Sequence, residues 1–433
     1  MRRDLFQIIK HNSFFYLVFL PILVVSSIIF PPSSIAVLVI GNFYFLQKDR
    51  YEFVIITFIL VIALGDNLWP QFEYYGILRI IDLILISFFS LIIVFRYDKG
   101  LDKRILIFLP FFLVSLFSSY VFSPAFTSSV ARAISYFLLV FSIFTYFRYV
   151  FDERGQILYE NVVIIISLIF MISLLGIVSP YHDLFFLNNR LRGLLGNPNS
   201  MALFSIFSYP IIDTFHYSNS EITEKQIGWI KIIIVGSVIL TGSRNGLVSI
   251  FIYYLLKNYY TRGVTGKVYS LLAGVIIIII LFNLDVIMQY TPLREYFRAK
   301  SLDTASGRTI VWNVAIDQIK ENPWLGRGDY FYQIFFQNFK SVHNLIGRYW
   351  NSVWNSYLAF LMDTGIIGLI AYFFFLAGLT KITNNIRVVI PFLAVALFSA
   401  IFESWMVSSL NAFTSLFLFY FIIVYNENTE KAI

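Results

Sequence analysis

The 433-residue chain has no cysteine, only four histidines, and charge on only 13% of its residues. Without thiols, disulfide staples, thiolate metal sites and cysteine nucleophiles are excluded. A soluble domain carries about 25% charged residues. That scarcity, with 58% hydrophobic residues, describes a membrane protein. The sequence also has no Asp-x-Asp pair, no HExxH, no Gly-rich phosphate loop and no His/Asp cluster. These gaps count against metal-bound nucleotide-sugar chemistry, zinc hydrolysis and ATP use, so no metal and no cofactor are expected. Although the net charge is +7, no basic run is present, and nucleic acid is not expected as a partner. The apolar run after Lys10 reaches Phe30 without a small-residue cleavage site, so it reads as a first span rather than a signal peptide.

What the chain does have is a succession of apolar runs, with 48 Phe and 28 Tyr suited to lipid contact and interfacial belts. They predict an all-α, polytopic fold of about 14 spans (12–14), near 13–30, 34–46, 52–66, 76–95, 105–122, 129–147, 160–178, 200–215, 228–241, 246–258, 268–288, 355–379, 388–404 and 408–425. The expected organisation is N-terminal helices over 1–190, a region of arginine-bearing turns over 191–288, an outer-face loop over 289–354, and C-terminal helices over 355–433. Counting lysine and arginine in short turns puts both termini in the cytoplasm. The short outer turns then hold Arg79, Arg132, Arg190, Arg192 and Arg244, all arginine and never lysine. A guanidinium near a bilayer core costs roughly 2.5–3.5 kcal/mol on insertion scales, and its planar fork pairs well with phosphate oxygens.

Two strings stand out, RGLLGNPNS at 192–200 and TGSRNG at 241–246. Arg192 is either an interfacial snorkelling arginine or part of an anion site. Its Gly193, Gly196 and Asn197-Pro198 context favours a turn that brings backbone close to a ligand. Arg244 is either one residue of a tight helix hairpin or a ligand group, with Ser243 and the amides of a new helix beside it. Asn197, Asn199, Ser243 and Asn355 are candidate substrate-binding residues. Arg79 and Asp82, three apart on one helix face, are expected to pair with each other. Arg132 reads equally as a site residue or a packing anchor.

In the loop, Ile310, Val314, Ile316 and Ile319 recur at helical spacing, with Ser306 as N-cap and Asn322-Pro323 as stop before Gly326 and Gly328. That predicts an amphipathic helix on the membrane surface, with Arg308 facing a ligand or solvent. Of the histidines, His343, followed by Asn344, is the better general-base candidate.

Taken in order, RGLLGNPNSMALF, ILTGSRNGLV, SGRTIVWNVAIDQIKENPWLGRG, NSYLAFLMDTGIIGL and ESWMVSSLNAFTSLF resemble the O-antigen ligase/O-antigen polymerase superfamily of bacterial envelope glycosyltransferases, over 192–417. The resemblance implies a metal-independent, inverting transfer at the periplasmic face of the inner membrane. Its donor would be an oligosaccharide on undecaprenyl pyrophosphate, and a flippase and a chain-length regulator would be partners besides the bilayer. Arg192 and Arg244 match the family's arginines, and Arg308 the start of the loop helix. The chain departs from ligases where they carry a His-Asn pair, because Trp354 precedes Asn355 here. That shifts the expectation toward a polymerase and leaves the base open among His343, His182, Asp303 and Asp363. A ligase acting on lipid A core and a lipid-linked oligosaccharide flippase remain alternatives, although no internal repeat supports the flippase.

Overall fold

Several helix boundaries fall where the sequence supplies proline, glycine or a capping side chain. The computed structural model describes residues 5–67, 69, 72–97, 101–214, 220–282, 308–343, 352–383 and 385–430. In chain order these form α1 (Leu5–His11), a π-helical stretch (Phe14–Phe19), α2 (Leu20–Ile29), α3 (Pro31–Gln47), α4 (Tyr51–Gly65), α5 (Tyr75–Tyr97), α6 (Lys103–Phe122) and α7 (Phe126–Ser142). A second π-helical stretch (Ile143–Phe147) leads into α8 (Arg148–Leu175). Then come α9 (His182–Phe185), strands β1 (Phe186–Leu187) and β2 (Arg190–Leu191), α10 (Pro198–Thr214), α11 (Glu224–Thr241), α12 (Arg244–Thr261) and α13 (Gly263–Phe282). After the undescribed stretch follow α14 (Arg308–Glu321), α15 (Phe331–His343), α16 (Ser356–Thr383), α17 (Ile386–Phe402) and α18 (Ala412–Glu430).

The all-helical expectation holds, apart from one two-residue hairpin. Among the described residues, four helical stretches are long and apolar enough to cross a membrane: Tyr75–Arg96, Lys103–Phe122, Phe126–Leu175 and Ser356–Thr383. Shorter apolar helices cover Phe14–Ile29, Tyr51–Gly65, Ile386–Phe402 and Ala412–Tyr425. The protein is therefore a multi-pass membrane protein, and the described residues do not establish the expected count of fourteen. Two expected spans, 129–147 and 160–178, belong to one 50-residue helical stretch whose non-helical residue is Arg154 (φ −145°, ψ 36°).

The chain divides into two interleaved units. The first comprises Met1–Asp102, Leu138–Gly246 and Leu410–Ile433, the second Lys103–Phe137 and Leu247–Ser409. In the first, every residue of α4 from Glu52 to Leu64 is buried, as expected for a helix apolar on all sides. Phe15 stacks on Phe53, with ring centroids 4.2 Å apart. Two buried polar pairs inside this unit are Tyr16 donating to Asn161 (2.6 Å) and Asn42 donating to Asp82 (2.8 Å). The expected Arg79–Asp82 pair does not form. Arg79 instead turns to Asp66 (3.3 Å) and to the Leu410 carbonyl (2.7 Å), while Asn42 occupies Asp82. Helical spacing brought the two side chains to one face, and neighbouring elements offered each a better partner.

In the second unit α6 and α16 run antiparallel. Ile107 meets Gly378 near one end, Phe111 meets Tyr372 in the middle, and Ser118 bonds the Asp363 carbonyl near the other (3.0 Å). The predicted loop helix exists as α14, but its buried face is Val311 and Ala315, whereas Ile310 and Ile316 are exposed. Ser306 lies outside the described residues.

Candidate active site

The first unit holds Arg79, Arg190, Arg192 and Arg244. β1 and β2 pair antiparallel, Phe186 with Leu191 and Leu187 with Arg190. Asn188 and Asn189 make the turn, both with positive φ (52° and 58°), as a two-residue primed hairpin requires. This hairpin delivers Arg190 to both strings at once. Its Nε donates to the Thr241 carbonyl (2.6 Å) and its Nη2 to Asn199 Oδ1 (3.1 Å). The turn at 241–246 follows from its sequence: Gly242 takes the left-handed C-cap of α11 (φ 56°), and Ser243 Oγ accepts the Gly246 amide as N-cap of α12. A Cβ on Gly246 would lie 2.9 Å from Ala202 Cβ and 3.0 Å from Val238, so glycine lets α12 start against α10 and α11. Arg244 is thus the first residue of α12, in a turn whose carbonyl Arg190 holds.

Arg192 does something else. Its Nε and Nη2 donate to the carbonyls of Leu184 (3.0 Å) and Asp183 (3.1 Å), and the guanidinium lies over the Trp69 ring. Gly193 next to it has φ 58°, and a Cβ there would sit 2.3 Å from Ser173 Oγ. Ser173 Oγ accepts the Leu194 amide, and Asn67 donates to the Leu194 carbonyl (2.7 Å). The Gly-rich string is therefore a tightly built turn. Asn197 caps α10 by accepting the Ser200 amide, and Asn199 receives Arg190.

In the second unit Arg132 is held by the Val407 carbonyl through Nε and Nη2 (3.1 and 2.9 Å), and its guanidinium lies over the rings of Tyr330 and Tyr332. Near it, Asp363 accepts the amides of Tyr330 (3.0 Å) and Tyr332 (2.9 Å), and Asp329 accepts from Ser115. Both acids are sealed, with exposures of 0% and 4%. Burial pushes the Asp329 carboxyl above the usual carboxylate range, and the Arg132 guanidinium pulls it back. The loop from Trp324 to Gly328 lies on α16 where that helix breaks at Gly365 (φ 66°, ψ −168°). A Cβ on Gly365 would sit 2.3 Å from Trp324 backbone, and one on Gly326 2.5 Å from Asp363 backbone. Two glycines thus let two backbones touch.

Arg308 starts α14 and pairs with Glu403 (2.9 Å), over the Phe402 ring. Asn355 Oδ1 caps α16, accepting the amides of Tyr357 and Leu358. Trp354 has φ 45°, and flanking Ser352 and Ser356 bond Ser404 and the Glu403 carbonyl. His343 ends α15 with an undescribed side chain, and Asp303 lies outside the described residues. His182 is half-buried and stacks on Phe186 (4.2 Å between centroids). No grouping of three or more metal-type ligands occurs among the described residues.

Arg190, counted among the arginines of the outer turns, was given no place in the site by sequence reasoning. Its signal was the Asn-Asn dipeptide between Phe186-Leu187 and Arg190-Leu191, a hairpin turn that brings the residue after it back across its partner strand.

Helices long enough to cross a membrane, and a turn at which arginine joins two chain segments, define a multi-pass membrane protein with a polar site at its helix ends. Residues 229–373, about a third of the chain, match the family model described as O-antigen ligase (Wzy_C), which supports the O-antigen ligase/polymerase superfamily for that segment. That family fits O-antigen ligase/polymerase-type function and a glycosyltransferase-like enzyme. No curated protein matches the chain. The matched segment includes TGSRNG, α14, the Trp324–Gly328 loop and the Gly365 break.

Proposed function

We propose that the protein is a polysaccharide polymerase of about fourteen spans that transfers a glycan from undecaprenyl pyrophosphate to a lipid-linked repeat unit at the outer face of the inner membrane. The supporting observation is the Arg190 clasp, which fastens the two arginine-bearing strings into one turn region. In the reaction the acceptor hydroxyl oxygen bonds to the anomeric carbon as the carbon–phosphate oxygen bond breaks. The leaving diphosphate takes the electron pair, and the hydroxyl proton passes to a base or to water. A cation ~4 Å from that charge in an effective dielectric of ~20 supplies about 4 kcal/mol of Coulomb attraction. Arg244 at the start of α12, beside the amides of its first turn, is assigned to the diphosphate. Arg190 holds the turn and adds positive charge to it. Arg192, spent on two carbonyls and the Trp69 face, is given the smaller part, and Arg308 is kept as a substrate-binding group paired with Glu403 before substrate arrives.

A ligase is the second reading, favoured by the description of the matching family. Purified protein given lipid-linked repeat units separates the two. Ladders made without any lipid A core mean polymerase, and strict dependence on core means ligase. No transfer in either assay, with folded protein, would sink both.

A further inference from the structure

Away from Arg132 and the two buried acids, at the opposite end of the second unit, is a hollow of about 590 Å³ lined by Tyr259, Tyr260, Thr261, Gly263, Lys267 and Arg387. It lies at the end of α6–α16 packing marked by Ile107 and Gly378, the end that the lysine and arginine bias assigns to the cytosol. Its walls come from the turn between α12 and α13 and from the start of α17, more than a hundred residues later. The turn is tight because Gly263 adopts φ 63° and because Gly266 comes so near that its Cβ would lie 2.4 Å from the Asn258 carbonyl oxygen. Ser270 fastens the two helices by donating to the Leu255 carbonyl (2.9 Å).

The lining carries two cations, two phenols and a hydroxyl, and no acid. Lys267 lies over the Tyr259 ring, 5.6 Å from its centroid. Directly beyond it α13 shows an apolar stripe: Val264, Val268, Leu271 and Leu272 are exposed, Val264 to 78% and Leu271 to 62%. Their positions at i, i+4, i+7 and i+8 place them on one helix face. A basic, hydroxyl-bearing hollow continuous with an apolar helix face has two parts, one suited to a phosphate and one to acyl chains. A free phosphate would use only the first.

We infer that this hollow is a binding site for an anionic phospholipid, with the headgroup phosphate between Lys267 and Arg387 and the acyl chains along α13. Basic pockets between membrane helices select anionic headgroups by the same charge complementarity. A tyrosine ring beside the lysine keeps the ammonium at the headgroup level. Charges that served only to orient the protein would not need a hollow. The site is independent of the glycan chemistry proposed above.

The test uses the full-length protein in phosphatidylcholine nanodiscs carrying a small fraction of phosphatidylglycerol, with retained lipid counted by native mass spectrometry. Wild type is expected to retain phosphatidylglycerol over phosphatidylcholine. Lys267→Gln and Arg387→Gln, both at exposed side chains, should each weaken that preference about fivefold, and together about twenty-fold. Lys48→Gln, an exposed lysine outside the hollow, should leave it unchanged. Equal retention of the two lipids by wild type would overturn the proposal. So would an unchanged preference in the double variant, or an equal loss in Lys48→Gln, which would mean diffuse attraction. Displacement of the lipid by millimolar inorganic phosphate would leave an anion site without lipid selectivity and overturn it as well.

Discussion

Two sites, one in each unit, handle polarity in opposite ways. In the first, Arg190 reaches across from a hairpin and uses its donors on a carbonyl and an amide oxygen, so a cation fastens two turns that contain further arginine. In the second, carboxylates are the centre: Asp363 takes two backbone amides, and two glycines press a loop onto a broken helix around it. The first arrangement leaves positive charge at a turn. The second leaves both acids enclosed. A guanidinium-lined turn suits an arriving anion, whereas a sealed acid holding backbone amides suits a loop that must keep its shape.

The largest effect that would break this contrast is expected from Gly365→Ala. A side chain there meets backbone at 2.3 Å and takes a positive-φ conformation (φ 66°, ψ −168°) that is essentially glycine's own and costs other residues about 1–3 kcal/mol. Folded protein recovered in detergent should fall to a small fraction of wild type, and normal yield would remove the structural reading of the loop. Next comes Arg244→Ala, expected to lower transfer about 10²–10³-fold, as loss of one oxyanion donor typically does, with an unchanged melting curve. Arg244→Lys should recover little of it, since an ammonium lacks the fork. Wild-type ladders from Arg244→Ala would remove the catalytic assignment.

Asp363→Ala should cost about 1–3 kcal/mol of stability by leaving the Tyr330 and Tyr332 amides without an acceptor, read as a lower denaturation midpoint. Arg190→Ala against Arg192→Ala sharpens the comparison inside the first unit. The former should cut transfer at least tenfold and the latter only a few-fold. The reverse order would return Arg192 to the role first assigned to it. The smallest effect is one of pH. Burial raises the Asp66 carboxyl to about 6, against the pull of Arg79, so its charged form is disfavoured in the fold. Its contribution to stability is complete in acid below its ordinary range and is lost as pH rises through about 6. Asp66→Asn should flatten that part of a stability profile between pH 4 and 7.

Much of the fold was legible because apolar run length and helix stop signals are local. Asn322-Pro323 and Gly326 end α14 where the sequence says they should. What was not legible depended on partners from elsewhere in the chain. Arg79 and Asp82 share a face yet find Asp66 and Asn42. The isoleucines of α14 have helical spacing, but Val311 and Ala315 form the buried face. For the site, the turns at 192–200 and 241–246 were visible as Gly-shaped strings. Their meeting through Arg190 required the hairpin register. Asn197, Ser243 and Asn355 looked like ligand groups because amide and hydroxyl oxygens serve helix caps as readily as substrates, and in the structure all three cap helices.

The break at Gly365 also acts as a ruler. From Ile366 to Thr383 the lower piece of α16 is an uninterrupted helix about 27 Å long at 1.5 Å per residue, close to the ~30 Å thickness of a hydrocarbon slab. That piece alone is long enough for one crossing, so the turns above the glycine are released from that duty. Asp363, two residues above it, belongs to the part of the helix that serves the loop, holding the Tyr330 and Tyr332 amides.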